Sequence, residues 1–123
     1  MFGWFEKRKA NFTYSNEEVR MGLISLEVSC FMRWFEDYQG RMLDQSEVEE
    51  IIDRFLTVEQ VEHTTLARSL NKDDVSLIYI MSLGYSLDKV NEVRRNTDWD
   101  NRVDGFLTHF GISITDDKKL TFN

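Results

Sequence analysis

Few side chains in this sequence are of the types that do covalent or metal chemistry. Cys30 with His63 or His109 would supply a thiol nucleophile and an imidazole base. No local signature surrounds any of the three. Cys30 also falls in a run dense in apolar residues, where a thiol packs as a small hydrophobe. Di-metal sites in helical bundles use Glu-x-x-His on facing helices. Here Gln60 stands three residues before His63, and Phe106 three before His109, so neither pair supplies the carboxylate. Glu59 and Glu62 beside His63 remain, without a partner motif elsewhere. A glycine-rich phosphate loop and a paired-cysteine zinc pattern are both missing from the sequence. The expectation is a protein that binds rather than catalyses, with no metal and no cofactor.

The charges point to recognition. The 123 residues carry a net charge of −7, and it is unevenly spread. Residues 41–62 hold seven acidic side chains against two basic ones, Arg41 and Arg54. Phosphate backbones repel such a surface, which disfavours nucleic acid as a partner. A basic protein suits it better, because opposite charge speeds encounter. Glu47, Glu50, Asp53 and Glu62 are therefore the expected partner-binding residues, the plainer alternative being a solvated helix face. Arg20 and Glu27 project into the apolar arc of their helix, seven residues or about two turns apart. They read as an internal ion pair or as a polar spot on a binding surface.

These residues must be held by helices. Ser15-Asn-Glu-Glu18 is a capping box, and the helix it opens should run to about Tyr38 and stop near Gly40. Leu23, Ile24, Val28, Phe31, Met32, Trp34, Phe35 and Tyr38 fill one wide arc, which marks a central, largely buried helix. Asp44 with Glu47 makes a second box. Val48, Ile51, Ile52, Phe55 and Leu56 then follow at amphipathic spacing. Thr57 with Gln60 reads as a third box, leaving open whether residues 45–70, through Val58, Val61 and Leu66, are one helix or two. Asn71-Lys-Asp-Asp74 caps a segment from Val75 to Leu83. Its apolar run would also suit a strand, but the acidic cap and Gly84 favour helix. Ser86 starts a short helix with Leu87, Val90 and Val93 inward. Thr97 with Asp100 resembles a cap for a last helix through Trp99, Val103, Phe106, Leu107 and Phe110 to Gly111. Alternation in Ile112–Thr115 and Leu120–Asn123 about a polar turn predicts a β-hairpin.

The fold expected is thus mainly α: a single domain, residues 1–123, of five or six helices around a central apolar helix with a short C-terminal hairpin. A chain of this length buries a core without staples, and its single cysteine allows no internal disulfide. One free thiol fits a reducing compartment, so a cytoplasmic location is expected. No apolar run is long enough to span a membrane. Phe2, Trp4 and Phe5 precede Lys7, Arg8 and Lys9, the reverse of a secretory leader. They either pack on the domain or touch a membrane interface.

Asp74 to Arg95, centred on Leu83-Gly-Tyr-Ser-Leu-Asp-Lys-Val90, resembles a helix-turn-helix, with the glycine in the turn. It also resembles the Met-Gly-Phe loop of ubiquitin-associated three-helix modules, with Leu83 for Met and Tyr85 for Phe. Ile80 is bulky where helix-turn-helix motifs carry alanine, and Asp88 and Glu92 mix with Lys89, Arg94 and Arg95. The helix-turn-helix resemblance implies a DNA-binding regulator or adaptor using residues 74–95. Size, acidity and helicity are instead similar to immunity proteins of bacterial nuclease toxins. The acidic cluster favours that second reading: an inhibitor that masks a basic partner such as a nuclease toxin.

Overall fold

Helix α1, Asn16–Gln39, is the spine of the fold. Val28, Phe31 and Phe35 on it are wholly buried, and so is Ser25 on another side. A helix covered from several directions must satisfy its polar side chains internally. Ser25 Oγ donates to the Met21 carbonyl at 2.6 Å, and Ser29 Oγ donates to the Ser82 carbonyl. The helix ends at Gly40, whose φ of +78° suits a residue without Cβ. Tyr38, expected in the core arc, lies exposed at the last turn and reaches Asp100 instead. The computed structural model describes residues 16–62 and 73–123, with side chains over 18–57 and 74–123. Ser15, the N-terminal aromatics, His63, Leu66 and the Asn71–Lys72 part of the cap lie outside the described residues. So do the side chains of Val58, Glu59, Gln60, Val61 and Glu62.

Helix α2, Gln45–Glu62, opens on the capping box read from sequence. Asp44 Oδ1 accepts from the Glu47 amide at 2.9 Å, and Glu47 Oε1 accepts from the Asp44 amide at 3.1 Å. Val48, Ile51 and Ile52 are fully buried, with Phe55 and Leu56 nearly so. The helix does not break at Thr57. Its Oγ1 donates to the Asp53 carbonyl one turn back at 2.8 Å, so it serves the running helix and not a new cap.

Helix α3, Asp73–Leu83, confirms the helical reading of that apolar run. Gly84, Tyr85 and Ser86 turn the chain into α4, Leu87–Asn96. Ser86 caps α4 by accepting from the Lys89 amide at 3.1 Å. Val90 and Val93 face inward as expected, but Leu87 is exposed. Helix α5, Trp99–Phe110, starts without the expected Thr97–Asp100 cap. Thr97 closes α4, bonding to the Val93 carbonyl at 2.7 Å, and Asp98 in the left-handed region precedes α5. Asp100 is occupied elsewhere, by Arg94. Gly111 ends α5 with φ +67°.

Strands β1, Ile112–Ile114, and β2, Leu120–Phe122, pair antiparallel with Ser113 opposite Thr121. Two short strands are marginal alone. This pair is held by Ile112 in the core and by Phe122 beneath Arg54. α1 packs against α2, α3 and α4; α2 also touches α3 and α5; α5 packs against α4 and β1. The centre is aromatic. Phe31 meets Phe106 at 5.6 Å between ring centres, and Phe55 meets Phe110 at 4.2 Å. Phe31 and Phe55, both buried, each stabilise the fold by about 1.5–3 kcal/mol. No helix among the described residues is long and apolar enough to cross a membrane.

Candidate functional site

The acidic residues expected to bind a partner do not form one free surface. Glu47 is committed to the fold. Arg41 Nη1 and Nη2 grip its two oxygens at 2.8 and 2.6 Å. The same guanidinium donates to the Lys118 carbonyl through Nε and Nη2, and its Cζ sits 5.1 Å from the Phe35 ring centre. This clasp ties the α1–α2 loop to the hairpin turn. The bond from Arg41 holds the Glu47 carboxyl below its ordinary range. Glu50 and Asp53 do face solvent on α2. The side chain of Glu62 lies outside the described residues.

The basic residues of the helix-turn-helix-like segment are also divided. Arg94 is buried, with 9% of its surface exposed. It donates to Asp37 at 2.7 Å and to both oxygens of Asp100 at 2.9 and 2.7 Å. Arg33 pairs with the other oxygen of Asp37 at 3.1 Å, and Tyr38 donates to Asp100 at 3.3 Å. These residues pin α1, α4 and α5 together. The outer face of α4 then presents Asp88 and Glu92 beside Lys89 and Arg95. In the turn, Tyr85 is half-buried and its hydroxyl donates to the Gly22 carbonyl at 3.1 Å. That aromatic therefore braces α1.

Two features went unread in the sequence. One is the outer side of α3. Ile78 and Ser82 are buried on its inner side, yet Leu77, Ile80 and Leu83 are 48%, 64% and 54% exposed. Leu87, just across the turn, is 51% exposed. A helix that is apolar all round is ordinarily covered all round. The signal was present: from Val75 to Leu83 only the two serines are strongly polar. That composition bears on helix against strand but does not say which side of the helix is covered.

The other is a groove of about 840 Å³ between α1 and α5. Leu23 and Ile24 form one wall, Phe106 and Phe110 the other, and Phe55 lies between them. Arg20 and Glu27, singled out from sequence, both line it. Glu27 accepts from the Trp99 indole nitrogen at 3.0 Å, which satisfies that buried donor. Burial lowers the Arg20 pKa from its ordinary value. Arg102, Gly105 and His109 follow one side of α5 along the groove.

Cys30 is a buried free thiol, pushed up to about 12 by burial and then by Glu27. It has no thiolate character to offer catalysis at neutral pH. Among the described residues, no group of three or more His, Cys, Asp and Glu side chains is placed to hold a metal ion. No family model, curated protein or solved structure matches the chain.

Proposed function

We propose that the protein is a small acidic binding module that masks a basic protein partner. In its narrowest form the proposal is an immunity-type inhibitor covering a nuclease toxin. The observation that carries the reading is the exposed apolar stripe of α3, Leu77, Ile80 and Leu83, continued by Leu87. Apolar side chains on successive turns of one helix make a contiguous patch, and such patches on soluble proteins mark interaction sites. α3 lies against α2, which carries the exposed Glu50 and Asp53. An exposed apolar stripe on one helix and exposed carboxylates on the helix packed against it would suit an amphipathic helix flanked by Lys or Arg. The net charge of −7 favours such a partner over a second copy of this chain. The DNA-binding alternative gains nothing from an Arg94 that is turned inward.

A designed helical peptide with a leucine stripe and lysines elsewhere is a suitable probe, followed by fluorescence anisotropy. It should bind, and binding should weaken as salt rises. Ile80→Asp with Leu83→Asp should weaken it about tenfold or more, a loss of roughly 1.4 kcal/mol or more. Glu50→Lys should slow association. All three positions are exposed, so circular dichroism should not change. The same peptide with glutamate for lysine should not bind. Equal binding by the stripe variant, or a homodimer in sedimentation that Ile80→Asp dissolves, would overturn the proposal.

A further inference from the structure

We infer that the groove between α1 and α5 receives this chain's own aromatic segment, Phe2-Gly-Trp-Phe5. The inference is independent of the protein-binding surface, which lies on α3. Leu23 and Ile24 wall the groove on α1, Phe106 and Phe110 wall it on α5, and Phe55 lies between them. Leu23, Phe106 and Phe110 are only partly buried. The three phenylalanines form one cluster. Phe55 meets Phe106 at 5.2 Å and Phe110 at 4.2 Å between ring centres, and Phe106 meets Phe110 at 5.0 Å. Tilted and edge-on contacts with a further ring gain more than the apolar area they bury. Aromatic side chains are therefore the occupants that such walls reward most.

The occupant follows from where the described chain begins. Helix α1 starts at Asn16, one turn before Arg20, the first of its residues on the groove. Glu27, the last, lies about 16 Å along the helix from Asn16. Residues 6–15 span at most about 33 Å when extended, so residues 2–5 can reach any point on that wall. Phe2, Trp4, Phe5, Phe12 and Tyr14 make this stretch rich in rings. Residues 63–72 hold Leu66 and Leu70 but no ring of phenylalanine, tyrosine or tryptophan, and match the walls less well. Lys7, Arg8 and Lys9 against Glu6 make the first stretch positive in a chain of net charge −7. Opposite charge draws the segment to the domain, and the apolar walls decide where it settles. Its covalent link to α1 makes docking intramolecular, so a contact too small to hold a free peptide suffices.

Fluorotryptophan incorporated into the full chain gives fluorine signals for Trp4, Trp34 and Trp99, and Trp4→Phe assigns the first. Trp34 and Trp99 are buried, so a soluble gadolinium chelate should leave both sharp. It should leave Trp4 nearly as sharp, and that shielding should persist on dilution. Leu23→Asp places a charge on the α1 wall of the groove. Gly105→Leu fills the groove from α5, where a Cβ meets no heavy atom within 4 Å, and leucine is the better helix former. Each variant should restore the chelate sensitivity that Trp4 has in urea and keep Trp34 and Trp99 shielded. Ile80→Asp, on α3, should leave Trp4 shielded. If circular dichroism shows Leu23→Asp unfolded, Gly105→Leu decides. A Trp4 as exposed in the parent as in urea, or one that no folded groove variant releases, would overturn the inference. Shielding lost on dilution would place the segment in a second copy, and shielding lost with Ile80→Asp would place it on the α3 stripe. Either result overturns it too.

Discussion

Arg94 holds Asp100 with two nitrogens, Nε 2.9 Å from Oδ1 and Nη2 2.7 Å from Oδ2. The two residues stand on consecutive helices, so the pair sets how α5 leaves α4. Asp37 of α1 takes the third donor, Nη1, at 2.7 Å. Removing one side of a buried ion pair strands the other in a poor solvent. Arg94→Met should therefore cost about 2–4 kcal/mol, the lower end reflecting the partial exposure of both aspartates. Urea unfolding monitored by tryptophan fluorescence measures it. A loss below about 0.5 kcal/mol would show the cluster to be ornamental.

The same pair makes stability pH-dependent. The bonds from Arg94 hold the Asp100 carboxyl below its usual 3.8. A carboxyl lowered in the folded state stabilises the fold fully above its unfolded pKa. That contribution is lost as pH falls through the folded value. Asp100→Asn should thus be less stable than the parent at pH 7 and should lose less stability between pH 4 and pH 2. Urea midpoints across that range test the sign. Parallel curves for the two proteins would contradict it.

Arg41 and Glu47 couple a helix start to the hairpin turn. Glu47 contributes twice, to the capping box and to the guanidinium. Glu47→Ala should cost about 1–2 kcal/mol, a cap plus a part-exposed bidentate pair. Arg41→Ala should free the Lys118 carbonyl and speed amide exchange in the hairpin turn, which hydrogen exchange reads directly. Charge reversal at Glu47 would perturb the fold, so Glu50 is the sound position for testing the acidic rim.

Cys30 should be unreactive in the native protein. With its thiol pushed up to about 12, the thiolate fraction at pH 8 is roughly one part in ten thousand. Burial adds a steric block. An aromatic disulfide reagent should react about 100-fold or more faster in 6 M guanidinium, a concentration on the scale that unfolds even very stable domains. Equal rates would reopen a nucleophilic role.

The sequence revealed what is set within one or two turns. The Asp44–Glu47 box, the Ser86 cap, the Gly40 and Gly111 stops and the hairpin all follow from neighbours in the chain. It revealed less where distant segments decide. Periodicity placed Tyr38 and Leu87 on apolar arcs, yet both are exposed, because an arc says which side is apolar and not whether anything lies against it. Thr97 and Asp100 have the residue types of a cap, but Arg94 takes Asp100 and α4 takes Thr97. The groove joins Arg20 to Arg102 across the whole fold, and no local pattern announces that meeting.

Ile78 and Ile80 stand two residues apart on α3 and separate stability from function. Ile78 has no exposed surface, and Ile80 is 64% exposed. Their side chains are equally apolar, so only position distinguishes them. Ile78→Ala removes packed volume from the core and should cost about 2–4 kcal/mol. Ile80→Ala touches little that is packed and should change stability by less than about 0.5 kcal/mol. Binding should invert the order. The basic helical probe should lose affinity with Ile80→Ala and keep it with Ile78→Ala, measured at a temperature where both variants remain folded. A shared apolar sequence would then be serving two ends, one face building the core and the other receiving a partner. If both variants lost stability alike, the outer face of α3 would be covered in solution by the protein's own chain, and the stripe would not be a docking surface.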